Sequence, residues 1–502
     1  MAICLPSYTL QGLRPRPVQI EVEVGPGMPI FSIIGMAGTS VQEAKDRIRS
    51  ALTHSGFPFP LTRKVVNLAP AELPKTGSHY DLSMALGFLM AGKEIPRREA
   101  LWAIGELGLN GEVRRVRGVL PALLFAVSQG VKELILPYEN REEARLVSGL
   151  KFIFVRSLLE AVHYLKTGEI PAEDDFNETL SSHKEGPPKN SFRLDFADIA
   201  GHAGAKRALL VAGAGAHHIV LKGPPGSGKS LLAQSFPSLL PPLNDEEFLE
   251  VLALHSLNEK QNLSFSRDRP FRTIHPRSTP YLVFGGGTTL QAGEVSLAHR
   301  GVLFMDEMPE FRREILEGLR GPLEGRTLDL RYGKASCEYP CRFQLLAARN
   351  PCPCGYLGDP ERMCSCTAHE LQRYQRKISG PILDRIDLSV SVPRLDFDEF
   401  KEPKQISSSQ LRNQVLEARE RQAHRLRVHG LFTNQELPPS LIRSERLDSS
   451  IDELLRQAAS HYQLSGRALD RILKVSRTIA DLEKSEAIAK EHVLEALQYR
   501  VG

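Results

Sequence analysis

The sequence predicts an α/β protein in three parts: a mixed α+β domain over residues 1–166, a core built on a parallel sheet over 192–395, and a helical lid over 396–502. Three observations carry this. A strand, a glycine-rich turn and a helix follow one another in "IVLKGPPGSGKSLLAQSF" at 219–236. After residue 191, strand-like apolar runs alternate with helical stretches, the pattern of parallel strands joined by crossover helices. Beyond a boundary near 395–410 the chain reads as helix almost throughout, in segments around 411–429, 450–462, 466–483 and 489–499.

In the N-terminal part, "VQIEVEV" (18–24) and "KVVNLAP" (64–70) alternate or run apolar like strands, and "TSVQEAKDRIRSALTHSG" (39–56) reads as a capped helix closed by glycine. The linker "TGEIPAEDDFNETLSSHKEGPPKNS" (167–191) is polar and lacks the hydrophobic periodicity that would let it bury a face. At 502 residues, 41% apolar and 25% charged, the chain suits a soluble protein of two or three domains. A net charge of +4 permits nucleic acid binding without arguing for it, because a local basic surface matters more than the total. Seven cysteines, odd in number and clustered, do not form a secreted disulfide framework. The start "MAICLPSYTLQGLRPRP" shows no signal-peptide pattern, and no apolar run is long enough to cross a bilayer. The expectation is a cytoplasmic protein with no membrane contact.

The turn GPPGSGKS satisfies the P-loop pattern through Gly223, Gly228, Lys229 and Ser230, with Pro224, Pro225, Gly226 and Ser227 forming the bend. Glycines let backbone N–H groups turn inward around the phosphates of ATP. Lys229 reaches the outer phosphates, and the Ser230 hydroxyl takes a Mg²⁺ position at the helix N-terminus. The run "GVLFMDEMPEF" (301–311) gives a buried strand ending in Asp306 and Glu307, at the carboxyl end where open α/β sheets bind ligands. Asp306 is expected to hold Mg²⁺, and Glu307 to polarise the attacking water. A third strand, "FQLLAARN" (343–350), ends in Asn350, suited to orient the same water. In "ISGPILDRIDLSV" (378–390), Arg385 lies between two aspartates. Delivered to a neighbouring subunit's γ-phosphate it would stabilise the transition state. A local ion pair with Asp384 or Asp387 is the competing reading.

In this order the P-loop, "GEVSLAHRGVLFMDEMPEF", "RNPCPCGY" and "SGPILDRIDL" resemble the magnesium-chelatase-like AAA+ ATPases, and among them the competence protein ComM (YifB) family. The resemblance extends from "VEVGPGMPIFSIIGMAGTSVQEAKDRIRSAL" to "LSGRALDRILKVSRTIADLE". It implies a hexameric ATPase acting on branched DNA in recombination and natural transformation, with Arg467 of the helical lid as a second sensor. The chain departs from the family at three places. No second histidine follows His275, Gly321 stands where a glutamate is expected, and Arg349 replaces the methionine before Asn350. These lie outside the phosphate motifs and bear on the DNA-facing loops.

The N-terminal domain resembles the proteolytic domain of Lon, of the ribosomal S5 domain 2-like type. The stretch 103–137 is similar in spacing to the Lon region that carries the catalytic lysine, but Leu120 or a neighbour stands there and no lysine occurs between Lys93 and Lys132. The serine position aligns to His79, beside Ser78. A nucleophilic serine needs an adjacent base, so the resemblance implies a fold kept without its protease chemistry.

Four cysteines crowd into "RNPCPCGYLGDPERMCSC" (349–366). Cys352, Cys354, Cys364 and Cys366 suit Zn²⁺ as a tetrahedral thiolate site, although Cys-x-Cys is tighter than the usual spacing. His369 is an alternative ligand, and a cluster of buried free thiols is the competing reading. Two elements suit DNA. "RTLDLRYGKASCEYPCRF" (326–343) reads as a hairpin with Tyr332, Gly333 and Lys334 at its turn, where Arg331 and Lys334 would meet phosphates. A solvated surface hairpin fits the composition equally. "LRNQVLEARERQAHRLRVHG" (411–430) carries five arginines, either a nucleic acid face or an ion-paired exposed helix. Together these readings predict an ATP-driven DNA remodeller, a homo-hexameric branch-migration helicase. A metal-chelatase-type ATPase subunit is the first alternative, opposed by the N-terminal domain. An ATP-dependent protease is the second, opposed by the missing serine–lysine pair.

Overall fold

The structure, a computed structural model, describes residues 2–59, 61–98, 100–171, 194–258, 265–333, 335–395, 406–445 and 448–501. They fall into two compact units, Met1–Glu185 with Leu252–Phe265 and Arg331–Glu338, and Gly186–Val251 with Ser266–Leu330 and Tyr339–Gly502. Most of the linker expected at 167–191 lies outside the described residues, as do residues 396–405 where the lid was expected to begin. The helix Leu158–Thr167 stops where the linker reading starts, at Gly168 in the left-handed region (φ +79°).

In the first unit, Ile3–Gln11 and Arg14–Gly25 form an antiparallel hairpin. Arg63–Ala69 continues the sheet antiparallel to the second strand, and Phe31–Ile34 runs parallel to Arg63–Ala69. Alternation decides the faces: Val18, Ile20 and Val22 point into one core with Leu5, Val66 and Leu68, while Gln19 and Glu23 stay exposed. The helix expected over 39–56 is split into Thr39–Gln42 and Ala44–His54, and its cap is Gly38, which makes no side-chain capping bond. A second helix, Asp81–Ala91, is buried along nearly its whole length. Gly87 lets it lie against the sheet, because a Cβ there would collide with the Val22 side chain.

The second unit carries a five-stranded parallel sheet in the order Phe271–Ile274, Val302–Met305, Gln344–Arg349, Ile219–Lys222, Leu388–Ser391. Both faces are covered, as short apolar strands without polar alternation require. Val302, Phe304, Ile219, Leu221, Leu346 and Ala348 belong to one apolar cluster, and Leu303, Met305, Val220, Leu345 and Ala347 to another. The C-terminal segments form the helices Ser408–Leu426, Ser449–Tyr462, Gly466–Leu482 and Lys490–Val501. Leu411, Val415, Ile472, Ile479 and Val493 join the first cluster beside Leu209 and Phe236. Lid helices and P-loop layer therefore share one core.

Candidate nucleotide site and thiol cluster

Parallel pairing brings three strand ends together. Lys222 is in register with Arg349, and Met305 with Ala347, so the P-loop, Asp306 and Asn350 all emerge at the carboxyl ends of adjacent strands. The turn has the expected backbone. Gly226 and Gly228 take positive φ (+78° and +80°), and Gly223 has no room for a side chain because its Cβ would overlap the Val392 carbonyl. Lys229 opens the helix Lys229–Ser235, and its ammonium donates to the carbonyls of Gly223 (2.9 Å) and Pro224 (2.7 Å). Burial lowers the Lys229 pKa, opposed by the nearby charges of Asp306 and Glu307.

The Ser230 hydroxyl donates to Asp306 at 2.8 Å. Two hard oxygen donors at that separation suit Mg²⁺. The Glu307 N–H donates to the other Asp306 oxygen (2.9 Å), which leaves the Glu307 side chain exposed on a left-handed residue (φ +51°). A non-glycine residue held at positive φ at a strand end is a mark of a functional position. Asn350 follows its strand directly, and its carbonyl accepts from the Tyr374 hydroxyl (3.4 Å).

Arg385 is not at this site within the chain. It precedes the strand Leu388–Ser391, whose first residue pairs with Ile219 at the opposite end of the P-loop strand. Neither flanking aspartate takes it, so the local-pair reading is corrected. Asp384 pairs with Arg500 (3.3 Å), while Asp387 accepts from the His218 N–H (3.0 Å) and lies near Arg471 (3.6 Å). The buried Arg385 guanidinium instead meets Glu324 (2.5 Å) and donates to the Pro381 carbonyl (2.5 Å). Arg467 is exposed in the first turn of the helix Gly466–Leu482.

The four cysteines converge. Their sulfurs all lie within 4.8 Å of one another, with Cys352–Cys354 at 3.3 Å, Cys352–Cys364 at 3.7 Å and Cys354–Cys364 at 3.6 Å. His369 is absent from this group. Sequence spacing brought the thiols to notice, but not their neighbour: a Cβ on Gly355 would overlap the ring of Pro225 in the P-loop.

Several expectations shift. The hairpin forms from Thr327–Tyr332 and Ala335–Pro340 with Gly333 at positive φ (+58°) and Arg331 exposed, while Lys334 lies outside the described residues. The arginine helix is not a free basic face. Arg419 donates to the Gly213 carbonyl (2.7 Å), Arg421 to the Asp481 carbonyl (3.1 Å), and Arg425 to both Asp481 carboxylate oxygens (2.8 and 2.9 Å). Buried backbone and carboxylate acceptors claim these guanidinium groups. In the N-terminal unit the Ser78 hydroxyl donates to Glu106, not to a lysine, and Leu120 is buried in the helix Val119–Ser128. His79 points inward, bonded to the Tyr8 carbonyl (2.9 Å) and stacked on the Tyr8 ring at 4.4 Å. No described helix is long and apolar enough to cross a membrane.

Comparison with known proteins places the chain in a family. The family profile "Magnesium chelatase, subunit ChlI" matches residues 195–400, "Subunit ChlI of Mg-chelatase" matches 20–140, and "Magnesium chelatase, subunit ChlI C-terminal" matches 405–500. The chain is 39% identical over 502 residues to the competence protein ComM of Haemophilus influenzae, covering 98% of this chain and 96% of that one. It is 36% identical over 502 residues to the YifB protein of Escherichia coli, covering 97% and 95%. A shorter similarity, 32% over 94 residues, covers 18% of this chain and 17% of the Lon protease 2 of Bacillus subtilis.

Proposed function

The chain belongs to the magnesium-chelatase-like AAA+ family that includes ComM and YifB, and from that premise we propose that it is an ATP-hydrolysing motor that remodels branched DNA as a homo-hexameric ring. One observation carries the ATPase part: P-loop, Ser230–Asp306 pair, Glu307 and Asn350 stand at the carboxyl ends of three adjacent parallel strands. Lys229 and the P-loop amides bind the phosphates, Ser230 and Asp306 hold Mg²⁺, Glu307 takes a proton from the attacking water, and Asn350 orients that water. Mg²⁺ supplies charge neutralisation of the β- and γ-phosphates.

The ring is supported by the position of Arg385. Arg385 precedes a strand whose first residue pairs with Ile219, at the end of the P-loop strand away from the phosphate site, which favours a role toward an adjacent subunit's phosphate over one toward its own. Arg467 approaches the nucleotide from the lid as a second sensor. DNA as the substrate rests on the likeness to ComM and on the exposed Arg331 hairpin. The thiol cluster takes Zn²⁺ in a structural role, and the ring acts in the cytoplasm, in recombination and natural transformation. The test is ATP turnover with and without single-stranded or forked DNA. Stimulation by DNA supports the reading, and turnover indifferent to DNA favours a chelatase-type ATPase subunit instead.

A further inference from the structure

Resting on the zinc reading of the thiol cluster, we infer that the loop closed by Cys352, Cys354, Cys364 and Cys366 is the back wall of the P-loop, and that nucleotide affinity depends on the metal this loop holds. The donor set fits the ion. Four thiolates around Zn²⁺ at about 2.3 Å would place their sulfurs about 3.8 Å apart. The sulfurs of Cys352, Cys354 and Cys364 stand at 3.3, 3.6 and 3.7 Å from one another, and all four lie within 4.8 Å. A disulfide would need about 2.05 Å between sulfurs. Backbone amides already point at the cluster, with the Cys354 N–H donating to Cys366 Sγ (3.4 Å) and the Cys366 N–H to Cys364 Sγ (3.5 Å). Such bonds orient thiolate ligands and offset their charge. Soft sulfur donors in a tetrahedral set select zinc over the hard Mg²⁺ of the neighbouring site.

The loop has no apolar core of its own; its other holds are polar, with the Asp359 carboxylate accepting from the Glu361 and Arg362 N–H groups (3.0 Å each) and pairing with Arg394 (3.2 Å). Between Cys352 and Cys366 the buried residues are Cys352 and Gly355, and Met363 is 94% exposed. Yet this loop is pressed onto the phosphate turn. The Gly355 N–H donates to the Cys352 carbonyl (3.0 Å), closing the turn around the first thiol pair. With φ at +87° and no Cβ, Gly355 brings bare backbone against the Pro225 ring. Just upstream, the Arg349 carbonyl accepts from the Gly223 N–H (3.2 Å). The segment 349–355 therefore touches the P-loop at its first residue and at its last. At the far side the helix Ala368–Gln375 starts from a capping box at Thr367 and returns Tyr374 to the Asn350 carbonyl (3.4 Å). Metal at the four sulfurs fixes the segment between these anchors, and with it the position of Pro225.

The test measures zinc content of chain purified without chelators, then the affinity for a fluorescent ATP analogue in saturating Mg²⁺. Affinity is read before and after extraction by a zinc-selective chelator, and again after ZnCl₂ is returned. The expected results are one zinc per chain, an affinity weakened about tenfold on extraction, and recovery on zinc return. Gly355→Ala keeps all four thiols and should retain zinc while weakening nucleotide binding similarly; it decides the matter alone if extraction unfolds the chain. A zinc-free chain that binds nucleotide normally overturns both the metal reading and this inference. A zinc-loaded chain whose affinity stays within about twofold on extraction and in Gly355→Ala keeps the metal but overturns the wall. A zinc-loaded chain that binds no nucleotide overturns the nucleotide reading itself.

Discussion

The Arg385 guanidinium lies 2.5 Å from the Glu324 carboxylate, while the aspartates on either side of it in sequence are engaged elsewhere. Glu324 is largely exposed and Arg385 largely buried, so a guanidinium that leaves Glu324 needs another anion in its place. In a ring that anion is the neighbour's γ-phosphate. Mixing Arg385→Ala subunits with Lys229→Ala subunits should partly restore the ATPase activity that each variant lacks, because some interfaces then join an intact P-loop to an intact arginine. Mixed rings that assemble fully and hydrolyse nothing would remove Arg385 from this role.

The strand-end geometry separates binding from hydrolysis. Lys229→Ala should abolish nucleotide binding in an equilibrium assay. Glu307→Gln should bind ATP normally and turn over at least about a hundredfold more slowly, the usual loss for a missing general base. Undiminished turnover in Glu307→Gln would exclude it as the group that activates water.

Burial holds His79 neutral, with its pKa pushed down to about 4 and only partly restored by its bond to the Tyr8 carbonyl. The unfolded chain takes up this proton near pH 6.5, so the unfolded state binds more protons between that value and about 4. His79 therefore contributes stability that is fully present above about 6.5 and is lost as pH falls towards 4, roughly 2 kcal/mol by pH 5. Thermal or urea unfolding from pH 7 to pH 5 should show this decline, and His79→Gln should flatten it. An unchanged slope in the variant would mean that other groups, such as the equally depressed His218, carry the whole effect.

Much of this architecture is legible in the sequence because local chemistry forces it. GPPGSGKS requires glycine φ values above zero, and "VLFM" and "LLAA", short apolar runs bounded by turn residues, suit strands buried on both faces. What was not legible depends on residues far apart in the chain. Asp481 gathers Arg425, Arg477 and Asn434 from three segments, and that network takes up an arginine of the helix that looked basic and free. Gly355 reads as an ordinary turn glycine until Pro225 is beside it. Arg385 carries no sign that Glu324, not its flanking aspartates, is its partner. The single helix expected over 39–56 breaks at Glu43 into Thr39–Gln42 and Ala44–His54, a boundary effect that spacing does not resolve.

The hairpin reading makes a separate claim about salt. Replacing Arg331 and Lys334 with alanine removes two phosphate contacts per subunit, which should lower the salt slope of DNA binding and abolish DNA stimulation of the ATPase. Basal ATPase should survive, since neither residue belongs to the P-loop or to the Asp306 and Asn350 strand ends. A double variant that keeps both the wild-type salt slope and the wild-type displacement per ATP would show that the hairpin does not touch DNA.

Strand displacement from a branched DNA, counted per ATP hydrolysed, tests the central claim most directly. The wild-type chain with ATP and Mg²⁺ should release the branch and hydrolyse ATP faster in its presence, while Glu307→Gln should bind the same DNA with ATP and release nothing. ATP hydrolysis that proceeds at one rate with or without branched DNA, and that frees no strand, would contradict the account.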